Sequence, residues 1–179
     1  NDCGLLVEKG HGKYAFMHLS FQEYFCGLHI VNHAATAIAH YSQLMSDPRW
    51  REPLVLGLGH ASGRWSREDL DGLFRSILTS GGTRTFGALP ALLLCTAAIQ
   101  DGVRFTPTSM HLLCECLVDL VADIREASAS TASQDTYSLL IGITSQLEQS
   151  PSVGAYVHDA LLKSLTSGTR RQKLAAAQL

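Results

Sequence analysis

The sequence predicts a mainly α-helical fold that opens with one short β-hairpin, and three observations predict it. Apolar alternation with a period of two occurs only ahead of Leu19. Every later apolar pattern has the spacing of a helix face, and those helical stretches come in pairs joined by short breaks rich in Gly, Pro and Ser.

In the hairpin, Tyr14, Phe16 and His18 alternate with Lys13, Ala15 and Met17, which puts two aromatics and a histidine on one face of a strand with His18 at its exit. Leu5-Leu6-Val7-Glu8 reads as the antiparallel partner, and Lys9-Gly10-His11-Gly12 supplies the glycines that a tight turn needs at positive φ. Ser20 is placed to cap the next helix, with Glu23 reaching back to the cap and Leu19 packing on Tyr24 as a hydrophobic staple. That helix, Ser20 to about Ala34, gathers Phe21, Tyr24, Phe25, Leu28 and Val31 into one apolar stripe.

A second helix runs from about Thr36 to Met45, and Asp47 caps a third whose first residue is Pro48. Trp50, Leu54 and Leu58 recur at helical spacing, which makes Trp50 a core anchor, while Gly57 and Gly59 permit close helix contact. Ser66 opens a helix in which Leu70, Leu73, Phe74, Ile77 and Leu78 match the amphipathic template throughout, ended by Ser80-Gly81-Gly82-Thr83. Leu89 to Ile99 is apolar nearly all round, as befits a helix buried between neighbours. Thr106-Pro107 begins a long helix carrying Met110, Leu113, Leu117, Leu120, Val121 and Ile124 inside and Glu115, Asp119, Asp123 and Glu126 outside. Ala127 to Ser133 reads as a loop, followed by helices at Asp135 to Gln149 and, capped by Ser150-Pro151, at Pro151 to Ser167. A last helix is expected from Gln172 to Leu179. Helix pairs recur about every 40 residues, the period of HEAT or armadillo-like stacks, although no repeat is visible in the residues themselves.

At 179 residues, with 46% hydrophobic and 17% charged residues, the chain can bury a real core. A net charge of -2 gives no electrostatic case for nucleic acid or an anionic membrane. The longest apolar run, Ala88 to Ile99, contains Pro90 and is about half of what a membrane-spanning helix needs. Five cysteines at irregular spacing suit reduced thiols better than a disulfide framework, which points to the cytoplasm.

Gly4-Leu5-Leu6-Val7, Tyr14-Ala15-Phe16-Met17-His18 and Ser20-Phe21-Gln22-Glu23-Tyr24-Phe25 together resemble the end of the winged-helix domain in NACHT-type signal-transduction (STAND) ATPases, the family that includes NOD-like receptors. The family pattern is aromatic-x-His-x-Ser/Thr-Phe-Gln-Glu-aromatic, and Phe16 to Tyr24 follows it. Asp47-Pro48-Arg49-Trp50-Arg51-Glu52-Pro53-Leu54 resembles, more weakly, the Trp-containing helix start found after that domain. The resemblance implies that residues 1-34 are the hairpin (the wing) and last helix of a winged-helix domain and that residues 35-179 belong to an all-helical region truncated at its C-terminus. It implies that the chain is a fragment of a longer protein whose upstream nucleotide-binding domain holds ATP or ADP with Mg²⁺, the fragment itself catalysing nothing. His18 would be the nucleotide-binding residue, contacting the β-phosphate of ADP and locking the winged helix onto that domain. The helical region would pass nucleotide state to a sensing or self-oligomerising segment or to a protein partner. The competing expectation is a helical-repeat scaffold that binds a protein partner without nucleotide control.

Other motifs read more simply. Gly10-His11-Gly12-Lys13-Tyr14 ends like a phosphate-binding loop, but Val7 stands where its first glycine belongs and Tyr14 where Ser or Thr belongs, so it is a turn. His111, Cys114 and Cys116 do not share one helix face and lack a second ligand pair, so no metal is expected; these thiols, with Cys26 and Cys95, read as core cysteines. Arg170-Arg171-Gln172-Lys173 reads as a solvated helix face.

Overall fold

A computed structural model describes residues 4–80, 88–126, 131–149 and 153–169, with 172, 173, 176 and 177 beyond them, the side chains at 34, 125, 126 and 131–134 excepted. Strands β1 (Leu6–Gly10) and β2 (Lys13–Phe16) form an antiparallel hairpin with Leu6 opposite Phe16, Val7 opposite Ala15 and Glu8 opposite Tyr14. The register slips between Glu8 and Gly10, and the chain then reverses through three residues of positive φ: Gly10 at 117°, His11 at 41° and Gly12 at 73°. Only glycine takes the first and third of these without strain, and the Gly12 N–H donates to Glu8 Oε1 at 3.2 Å, so the turn predicted at residues 9–12 forms there.

Among the described residues eight α-helices follow: α1 (Leu19–Ile30), α2 (Ala34–Leu44), α3 (Arg51–Ser62), α4 (Arg67–Ser80), α5 (Leu89–Gln100), α6 (Pro107–Glu126), α7 (Thr131–Glu148) and α8 (Gly154–Ser167). Among the described residues no strand comes after β2. Helices pack on the next but one: α1 on α3 and α3 on α5 in one row, α2 on α4, α4 on α6 and α6 on α8 in the other. The chain is therefore a hairpin leading into stacked helix pairs, as the paired amphipathic stretches predict.

The tightest joint lies between α1 and α3. A Cβ on Gly27 would run into the Pro53 carbonyl oxygen and come within 2.9 Å of the Gly57 nitrogen, while one on Gly57 would meet Tyr41 Oη at 2.8 Å and the Gly27 oxygen at 3.1 Å. Glycine at both positions lets two helix backbones touch. Gly59, expected to share this role, faces open space instead. Tyr41 of α2 is fully buried over the joint and its hydroxyl donates to the Leu54 carbonyl at 2.7 Å. Burial pushes that phenol far up, so it stays a donor.

Several termini match their local signals. Asp47 accepts from the Arg49 N–H at 3.0 Å, with Pro48 first in a single 3₁₀ turn (Pro48–Trp50) that feeds α3. Ser66 Oγ accepts from the Asp69 N–H at 3.1 Å, an N-cap bond, and donates to the Asp69 carboxylate at 2.6 Å. At the end of α5, Gly102 takes φ 88°, its N–H reaching the Ile99 carbonyl and that of buried Val103 reaching Ala98, which is a Schellman stop. Thr169 and Gln172 cap one another at 2.9 and 3.2 Å where the last helix is expected.

Other expectations are corrected. α1 begins one residue before Ser20, with His18 in extended geometry as its cap residue and no side-chain cap bond, so the Ser20–Glu23 capping box does not form. Leu19 and Tyr24 are both exposed, and the staple is absent with it. The buried face of α1 is Gly27 and Ile30, with Val31 of the predicted stripe just beyond its end; Gly27 sets the close approach to α3, and Tyr24 and Phe25 of that stripe stay exposed. α7 starts at Thr131, inside the predicted loop, and α8 starts at Gly154, capped by Val153 without a side-chain bond. The Ser80-to-Thr83 stop, apart from Ser80, and the Ser150-Pro151 cap lie outside the described residues.

Trp50 is half-buried rather than enclosed, packed against the edge of the core. A fully buried Trp truncated to Ala costs about 3 to 5 kcal/mol, so Trp50→Ala is expected to cost about 2 kcal/mol, read as a lowered urea midpoint at unchanged slope. A loss above about 3 kcal/mol would show that Trp50 is enclosed after all.

One feature of the core lacks a counterpart in the sequence reading. Asp71 of α4 is 7% exposed, and its Oδ1 accepts both the Thr106 N–H at 3.1 Å and the Ser109 hydroxyl at 2.8 Å. Thr106 precedes α6, so a carboxylate on one helix satisfies the start of the next in its row. Burial pushes the Asp71 carboxyl up, but the hydrogen bonds from Thr106 and Ser109 and the nearby Arg75 outweigh it and leave it below the usual range.

Candidate functional site

The junction of β2 and α1 carries the residues that the sequence singles out. β2 ends at Phe16 rather than at His18, whose backbone is still extended (φ -123°, ψ 141°) and hands the chain to the helix. Phe16 stacks on Phe25 at 5.5 Å between ring centroids, which ties the strand to the helix one and a half turns into it. His18 is exposed; its ring sits 5.8 Å from that of Phe21 and, among the described residues, no hydrogen bond engages its imidazole. It is therefore held in direction by its backbone and free at both nitrogens, the condition of a side chain able to donate to an anion brought to it.

Around it lies an unusual amount of exposed apolar surface. Leu6, Tyr14, Met17, Leu19, Tyr24 and Phe25 are between 39% and 67% exposed, all on the hairpin or α1. Apolar groups gathered on one end of a globular chain mark a contact surface. Beneath them, two grooves flank α1. One, of about 540 Å³, is lined by Leu19, Gln22, Glu23, Cys26, Arg49, Trp50 and Pro53. The other, of about 350 Å³, shares Gln22, Cys26 and Trp50 with it and adds Phe16, Phe25, His29 and His40. Trp50 is thus a groove wall, which is why it is only half-buried.

Charge at this end is sparse and organised. Arg49 Nη2 lies 2.7 Å from Asp47 Oδ2, and the side-chain and backbone hydrogen bonds of Arg49 hold the Asp47 carboxyl below its usual range. Glu23, which the sequence assigns to a cap, is half-buried in the groove wall instead. Asp47-Pro48-Arg49 reads in the sequence as a helix start, and only the fold brings it beside α1.

The remaining candidates do not join this site. The Gly10-to-Tyr14 stretch is the hairpin turn. His111 is edge-on to Tyr156 at 5.5 Å, with Nδ1 3.8 Å from Asp159 Oδ2, while Cys114 and Cys116 are buried. Burial, with help from neighbouring carboxylates, pushes the Cys114 thiol up to about 12 and that of Cys116 to about 11; burial raises the fully buried Cys95 as well. Such thiols are inert core groups. No group of three or more His, Cys, Asp or Glu at metal-binding geometry occurs among the described residues. No described helix is long and apolar enough to cross a membrane. Arg170 and Arg171 lie outside the described residues, and Lys173 is exposed.

Compared with protein-family profiles, with curated proteins and with solved structures, the chain matches none, and the resemblance of residues 4–25 rests on those residues alone.

Proposed function

We propose that this chain is the coupling segment of a NACHT-type signalling ATPase: the hairpin and α1 close a winged-helix domain, and the stacked helices carry its position to a sensing or oligomerising region. The observation that supports it best is the state of His18, exposed, directed by extended backbone and without a hydrogen bond among the described residues, within the run that resembles the family's nucleotide-sensing motif. On this reading an upstream nucleotide-binding domain of the same protein packs on the apolar surface around His18, and ADP, with Mg²⁺ in that domain, presents its β-phosphate to the imidazole. The chain itself contributes a donor and a lever and carries out no chemistry.

The lever is α1. It is bound to the strand through the Phe16–Phe25 stack and to α3 through backbone contact at Gly27 and Gly57, and α3 packs in turn on α5. Glycine-to-glycine contact leaves no soft side chain to absorb a displacement, so a shift of the hairpin moves the row. Nucleotide exchange that withdraws the phosphate from His18 then changes the balance between a closed and an open arrangement.

His18→Ala in the nucleotide-binding parent protein tests this. A charge-assisted contact is worth about 1.5 to 3 kcal/mol, so the closed state should fall roughly ten- to a hundredfold relative to the open one, with loss of co-purifying ADP. In the present chain the same substitution should leave stability nearly unchanged. Full ADP retention in the parent, or unfolding of this chain by the substitution, would each refute the role.

A further inference from the structure

The C-terminal end of α3, away from Trp50 and Pro53 at its start, holds a cleft of different character. It measures about 360 Å³ and is lined by Ser62, Trp65, Arg67, Leu70, Gly102 and Arg104, which come from the end of α3, the start of α4 and the turn between α5 and α6. Two guanidinium side chains line it and no carboxylate does. Neither Arg67 nor Arg104 forms an ion pair or a side-chain hydrogen bond among the described residues. Both arginines are exposed, so their charges are hydrated and open to a ligand, and two like charges lining one cleft favour an anion between them.

The backbone under both is fixed. Arg67 is the first residue of α4, whose start is held by the Ser66 hydroxyl accepting from the Asp69 N–H. Arg104 stands between two anchors: Val103 is buried, and Phe105 stacks on Phe74 at 3.8 Å. Next to it the Thr106 N–H is held by Asp71. Beside the charges lies an apolar floor, the half-buried Trp65 indole and buried Leu70, while the Ser62 hydroxyl is already spent as a donor to the Gly59 carbonyl at 2.7 Å.

We propose that this cleft binds a small molecule that joins one oxyanion group, a phosphate or a carboxylate, to a flat apolar body, with Arg67 and Arg104 clamping the oxygens and Trp65 receiving the flat face. Paired guanidinium groups suit the several acceptors of an oxyanion, the volume suits a compact ligand, and indole gives a planar group a stacking surface. The site is independent of the role of His18. Because its walls come from both the α3–α4 and the α5–α6 pairs, an occupant would brace one helix pair against the next.

Phenyl phosphate, benzoate and inorganic phosphate are the probes, titrated into the chain while the Trp65 indole N–H and the Gly102 amide are followed by NMR, with the Trp50 indole as an internal control. Phenyl phosphate or benzoate should shift Trp65 and Gly102 saturably with a Kd of about 1 mM or tighter, what a ligand of this size reaches at ordinary efficiency. Trp50 should not move. Whichever of the two binds more tightly identifies the preferred oxyanion. Inorganic phosphate should bind at least about tenfold more weakly, since it cannot use the indole. The Arg67→Gln/Arg104→Gln double variant should weaken binding by about tenfold or more, whereas Arg51→Gln, which removes a charge elsewhere, should not. The proposal is overturned by unsaturable shifts, by inorganic phosphate binding as tightly as phenyl phosphate, by equal movement of Trp50, or by full affinity in the double variant.

Discussion

Gly27→Ala should be among the most damaging single-methyl additions in the chain. The added carbon would strike the Pro53 carbonyl and the Gly57 backbone, and both obstacles are main chain within a helix that cannot rotate aside. Overpacking costs typically 1 to 3 kcal/mol where side chains can yield, so about 3 kcal/mol is expected here, a fall of about 6 to 12 °C in Tm for a domain of this size. Gly59→Ala on α3 is the control: nothing lies within 4 Å of its added carbon, and the gain in helix propensity should stabilise by about 0.5 to 1 kcal/mol. A Gly27→Ala chain that melts with the wild type would place α1 away from α3. It would also remove the rigid joint through which the proposed signal leaves the hairpin.

This joint illustrates what the residues alone do and do not disclose. Helical periodicity locates α4 and α6 because their buried positions are large and apolar; Leu70, Leu73, Phe74, Ile77 and Leu78 are all buried as the template requires. The same rule misjudges part of α1, where Val31 of the predicted stripe is buried but the closest approach is made at Gly27, and Tyr24 and Phe25 remain exposed. Hydrophobicity marks what can be buried, but the depth of an approach between helices is set by the smallest residue at the crossing. Gly57 was legible as a close-contact glycine; Gly27 was not, since nothing local distinguishes it from an ordinary helix residue. The turn at Gly10 and Gly12 and the Asp47-Pro48 start were readable because their causes lie within four residues. The Ser20 cap failed because the backbone stays extended only through His18 and turns helical at Leu19, which puts Ser20 inside the helix. Grooves beside α1 and the cleft around Arg67 and Arg104 join residues distant in the chain, so no spacing announces them.

Asp71→Ala should cost nearly as much as Gly27→Ala, through chemistry rather than volume. It would strip the Thr106 N–H and the Ser109 hydroxyl of their shared acceptor at a place closed to water, and a hydrogen-bonded buried charge is worth about 1.5 to 3 kcal/mol. Asp71→Asn keeps an acceptor oxygen and should recover part of that, while Ser109→Ala removes one donor and should cost less than either. The contribution also carries a pH signature. The folded carboxyl titrates below its unfolded value of about 3.9, so its stabilisation is fully present above that pH and is lost as the pH falls through the depressed folded value. Urea denaturation of wild type and Asp71→Asn at successive pH values should therefore show a gap that is constant from pH 7 down to about 5 and closes below about 4. Were the gap to persist at the lowest pH where the protein still folds, Asp71 would act through packing alone; were Asp71→Ala to keep the wild-type midpoint, the bridge between α4 and α6 would not hold the start of α6 at all.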